Sequence, residues 1–166
     1  MDAPYSPMSR LCQTFAAAFA IATAALMAID FALNALFEFV LPSGVAIGAQ
    51  IAAAWYAGHR YGEATPGLPD NGWFWRAGLY TALISIAVSI VFAVLAFFLL
   101  VSAEERELVY LLWSNNDAAD TLGMSLATLI GIVVAVIIIW AGISWLVHRF
   151  VIAHAARKIF DPAKEF

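Results

Sequence analysis

The chain has 166 residues, of which 64% are hydrophobic and only 12% charged, with a formal net charge of −4. Soluble domains carry roughly 25% charged residues, so lipid is the simpler solvent for this sequence. The acidic balance and the lack of a long basic run give no support to a nucleic-acid partner, and the single cysteine, Cys12, excludes an intrachain disulfide and a cysteine-rich metal centre.

The first apolar stretch lies within Leu11–Leu41 and predicts a span over 13–39. Arg10 ahead of the run and Ala22-Thr23-Ala24 inside it have the pattern of a secretory signal with a cleavage site. The run continues well past that point, which predicts an uncleaved anchor. About 20 helical residues cross a hydrocarbon layer of about 30 Å, so this segment is long enough to tilt or project.

Asp30, Asn34 and Glu38 recur every four residues and share one face of this helix. A charge in hydrocarbon costs about 3 kcal/mol on insertion scales. The face therefore reads in one of two ways: as a proton, cation or partner-binding face, or as a polar cap on a projecting helix. Depth favours the cap. From Gln13 to Asp30 the helical rise is about 25 Å, which puts Asp30 near the outer edge of the core and Asn34 and Glu38 beyond it.

Pro42-Ser43-Gly44 predicts a short turn, with serine able to cap the next helix. The second span, 44–62, is rich in alanine and glycine and less hydrophobic than the others. Gly44, Gly48 and Ala52 recur every four residues, as do Ala54, Gly58 and Gly62. Small residues at that interval let helix backbones approach closely, which predicts helix-packing faces, used inside the bundle before any dimer. His59 and Arg60 suit a helix C-terminus and anionic headgroups.

Pro66, Gly67, Pro69 and Gly72 make Glu63–Gly72 a loop, and Trp73, Phe74 and Trp75 suit the headgroup region at the start of a span over 75–101. Ser85 and Ser89 share a face there and can bond back to helical carbonyls. Ser102-Ala103-Glu104-Glu105 has capping-box spacing, which predicts a short interfacial helix over Ala103–Trp113, an acidic loop being the alternative. Ser114–Asp120 reads as a polar linker. The fourth span, 121–148, holds the β-branched run Ile132–Ile139. In water that run would suggest a strand, but its length and neighbouring spans predict a membrane helix. Continuation through Arg149, Arg157 and Lys158 would stop at Pro162.

Four spans put both ends on one side. That side holds Arg10, Arg60, Arg76, Arg149, Arg157, Lys158 and Lys164, leaving only Arg106 opposite. The positive-inside rule then predicts cytoplasmic termini. The other side is acidic, with Glu38, Glu104, Glu105, Glu107, Asp117 and Asp120.

No catalytic residue, cofactor or metal is predicted, since GxSxG, HExxH, Walker and dinucleotide patterns are all absent. His59 and His148 fall at similar depth, and two imidazoles could ligate haem or a metal, but no carboxylate or cysteine cluster completes a set.

The segment AxxAGHRYG at Ala54–Gly62, followed by a short polar loop and another hydrophobic helix, resembles a family of small uncharacterised bacterial inner-membrane proteins with four spans. The resemblance implies a multi-pass inner-membrane location and supplies no active site. Residues 1–166 thus read as one all-α unit: an integral-membrane four-helix bundle with a short interfacial helix between spans three and four. The expected role is a non-enzymatic accessory or regulatory subunit, partnered by lipids and by another membrane protein or further copies of itself. The alternative is a small proton, ion or solute pathway using Asp30.

Overall fold

A computed structural model describes residues 7–42, 44–65, 67–114 and 126–160, which form helices joined by short connections, with no strand among the described residues. The helices are α1 (Pro7–Phe37), α2 (Gly44–Ala64), α3 (Asn71–Leu100), α4 (Ala103–Ser114) and α5 (Leu126–Phe160). Three are long and apolar enough to cross a membrane: Pro7–Phe37, Asn71–Leu100 and, within α5, Ile130–Ile159. The 21 residues of α2 would also reach across, at about 1.5 Å each. Gln50, His59 and Arg60, with its glycines and tyrosines, leave it short of that apolarity. It is accordingly the most enclosed helix, burying Ala53, Ala54, Ala57, Gly58, Tyr61 and Gly62 against its neighbours.

The four long helices form a ring in which α2 and α3 each pack against both α1 and α5. The core sits at one end. Leu11, Phe15 and Phe19 of α1 meet Ala53, Ala57 and Tyr61 of α2, Phe74 and Ala77 of α3, and Ile152 and Ala156 of α5. Glycine allows close approach where α2 and α3 each cross α5. A Cβ on Gly58 would stand 2.8 Å from the Ile152 carbonyl oxygen, and one on Gly78 would stand 2.9 Å from that of Trp145. Polar clasps tie α3 to α5 at the same end. Trp145 Nε1 donates to the Trp75 carbonyl at 2.9 Å, and Arg149 donates to Asn71 Oδ1 at 2.9 Å. The Arg149 guanidinium also lies 3.7 Å from the Trp75 ring centroid, a cation–π geometry.

The other end opens. Every residue from Ile130 to Trp140 on α5 is exposed, although eleven consecutive residues cover all sides of a helix. Leu36 and Phe37 of α1 and Phe98 to Leu100 of α3 are exposed too. So much contiguous apolar surface suits lipid or a protein partner, not water.

Local chemistry fixes the helix ends, and it moves them from the expected span limits. Asp70 caps α3 by accepting from the Trp73 amide, so the helix starts at Asn71, ahead of the aromatic triplet. The predicted capping box forms: Ser102 N donates to Glu105 Oε2 at 2.9 Å and Glu105 N to Ser102 Oγ at 3.2 Å. It starts α4, whose Arg106 reaches back to the Phe98 carbonyl at 3.2 Å. α1 begins at Pro7, ahead of the expected span, and α5 runs to Phe160, the expected continuation through Arg149, Arg157 and Lys158. Ser43, the linker after Ser114, residues 121–125 and Pro162 lie outside the described residues.

The capping box carries a pH dependence. Hydrogen bonds from the Ser102 backbone and then its hydroxyl hold the Glu105 carboxyl below its ordinary 4.5. The folded carboxyl thus binds its proton less readily than the unfolded one. Its stabilisation is complete above the ordinary value and is lost as pH falls through the depressed one. Hydrogen exchange of the first-turn amides of α4 should accelerate in that acidic window beyond the intrinsic rate change. Ser102→Ala should show faster exchange there already at neutral pH.

Candidate functional site

Where α1 overshoots α2, the chain must fold back to reach Gly44. Glu38 takes a left-handed conformation with φ 54°, and its amide still donates to the Asn34 carbonyl at 3.0 Å. The returning segment then runs alongside α1 until the Leu41 amide donates to Asp30 Oδ1 at 2.7 Å. Asp30 is half-buried and holds this reversal, while Asn34 and Glu38 project above it, exposed.

Two recesses meet at Asp30. One, of about 230 Å³, lies between α1, α2 and α3, with Thr23, Asp30, Gln50 and Ser89 among apolar side chains such as Phe19 and Val45. The other, of about 450 Å³, lies between α1 and α3 and is lined by Met27, Asp30, Asn34 and Leu99. The Thr23 hydroxyl donates to the Phe19 carbonyl at 2.8 Å, which leaves its oxygen able to accept. The arrangement offers a carboxyl, two amides and two hydroxyls from three helices to water, a cation or a small polar solute. It has no nucleophile paired with a base, so hydrolytic or transfer chemistry gains nothing from it. Thr23 and Gln50 were not singled out for this site from the sequence. A lone amide in an Ala-rich helix was the available signal for Gln50.

The two packing stripes of α2 have different surroundings. Gly58 and Gly62 press on α5, whereas a Cβ on Gly44 or Gly48 would meet nothing within 4 Å and Ala52 is exposed. The histidines also differ. His59 stacks on Trp55 at 5.1 Å and 8°, with Nε2 3.5 Å from Glu63 Oε1. His148 is 1% exposed, its ring 5.1 Å from that of Phe15, and neither ring nitrogen has a hydrogen-bond partner among the described residues. Ser85 bonds back to the Ala82 carbonyl at 2.8 Å. Among the described residues no three His, Cys, Asp or Glu side chains converge to hold a metal ion. No family model, no curated protein and no solved structure matches this chain.

Proposed function

We propose that the chain is a four-span bundle of the bacterial inner membrane, with both termini cytoplasmic, acting as a non-enzymatic accessory or regulatory subunit of a larger membrane assembly. The carrying observation is the arm of α5 from Ile130 to Trp140, exposed on every side, while the later part of α5, from Ser144 to Ala156, is clasped by α2 and α3. One half of the molecule is thus a rigid anchor, and the other presents unpaired membrane helices to a neighbour. The skew of basic residues supports the orientation. Purification from native membranes in mild detergent, followed by mass spectrometry, should recover a stoichiometric partner or a fixed number of copies. A solitary monomer in both native membrane and nanodiscs would overturn the proposal. Proteolysis of the C-terminal tail only from the extracytoplasmic face would overturn the orientation.

The recesses at Asp30 favour a second reading, a small cation or solute pathway through Thr23, Gln50 and Ser89. Vesicles reconstituted with the protein should then show a cation or proton flux that Asp30→Asn alters. Identical flux in wild type, variant and empty vesicles would remove this reading.

A further inference from the structure

The packed end of the bundle holds a cavity that neither the accessory role nor the Asp30 recesses use. It has about 330 Å³ and lies between the first turns of α1 and the last turns of α2. Its floor is rigid: Leu11 and Ala57 are buried, and Tyr61, also buried, packs its ring 4.4 Å from that of Trp73. Its mouth carries Arg10 from α1 and Arg60 from α2, with Gln13, Thr14 and Thr65 beside them. The opening turn of α1 adds the positive end of a helix dipole.

We propose that this cavity binds a phosphate group, as the headgroup of an anionic phospholipid or as free phosphate. Two guanidinium groups from different helices match phosphate oxygens in charge and in fork geometry. Tyr61 and Trp73 are the aromatic types enriched at headgroup level, and basic recesses between membrane helices suit acidic lipids. Two neighbours bear on the site. The Thr14 hydroxyl donates to the Arg10 carbonyl at 2.9 Å, so it does not serve the anion. Glu63 Oε2 lies 3.0 Å from Arg60 Nη1, but both side chains are largely exposed, and an exposed pair of this kind is weak and leaves the arginine able to engage an anion. The inference rests on the membrane setting alone and stands or falls separately from the subunit role.

The test compares wild type, Arg10→Gln/Arg60→Gln and the control Arg157→Gln, whose arginine is outside the cavity. Each is incorporated into phosphatidylcholine nanodiscs containing a small fraction of phosphatidylglycerol, then released into detergent for native mass spectrometry. Wild type and the control should retain one phosphatidylglycerol per chain, and the double variant at least about tenfold less. Calorimetry with inorganic phosphate, in discs of phosphatidylcholine alone, separates the sources. Arginine-dependent heat without lipid retention identifies free phosphate as the ligand. Equal retention by the double variant, an equal loss in the control, or no binding of either probe overturns the site. Thermal midpoints verify that each variant is folded. If the double variant does not fold, each single variant must still lose retention.

Discussion

Gly58→Leu should prevent the packed end of the bundle from assembling. The Cβ alone would lie 2.8 Å from the Ile152 carbonyl oxygen, 2.9 Å from its Cα and 3.1 Å from the Ala155 Cβ. Two of those atoms are helix backbone and cannot rotate away, so α2 and α5 must separate. Separation would uncover Ile152 and Ala156, both buried at the contact. Overpacking by even a few atoms costs about 1–3 kcal/mol, and here the whole side chain has nowhere to go. Gly58→Ala sets two effects against each other. Alanine gains about 1 kcal/mol of helix propensity, but the clash is with backbone, so the clash should win and the variant should be less stable. Gly48→Ala is the matched control, because its Cβ would meet nothing within 4 Å. It should be neutral or slightly stabilising. Thermal midpoints in one bilayer mimetic, with size-exclusion profiles, would order the variants as Gly48→Ala, wild type, Gly58→Ala, Gly58→Leu. A Gly58→Leu protein as stable as wild type would mean that α2 and α5 do not touch here.

That contrast also shows what could be read from the residues. Both small-residue stripes of α2 were visible as spacing, since close helix approach requires them whatever the partner. Which stripe meets α5 was not visible, because Gly44 and Gly58 differ only in the chain opposite. Membrane helices were legible from apolar length, and the start of α4 from Ser102 and Glu105, because capping is a local reaction between neighbours. The helix limits were less so. The continuation of α5 through Arg149 and Arg157 was legible, but not that these residues lie over the Trp75 and Phe74 rings of α3. The recess at Asp30 needs Thr23, Gln50 and Ser89 from three helices, and no local pattern joins them. His148 reads as a basic-end residue beside Arg149, yet its ring points inward to Phe15, a fact of helix rotation that sequence spacing does not fix.

Asp30→Leu should loosen the reversal between α1 and α2, and Asp30→Asn should not. Asp30 Oδ1 accepts the Leu41 amide at 2.7 Å across a gap of eleven residues. Leucine removes the acceptor and strands a half-buried backbone N–H, at a cost of about 1–3 kcal/mol. The oxygen of asparagine occupies the same position, so the bond survives while the ionisable group is lost. The two variants thus separate structure from transport. If Asp30 only holds the turn, Asp30→Leu lowers the thermal midpoint and speeds exchange of the Leu41 amide, and Asp30→Asn matches wild type in stability and in every flux assay. If the carboxyl also serves a pathway, Asp30→Asn keeps wild-type stability and changes flux, a result misfolding could not produce. Equal stability of all three proteins would show that the Leu41 contact does not hold the reversal, and α1 and α2 would then be joined only by the packing beneath it, around Phe19 and Ala53.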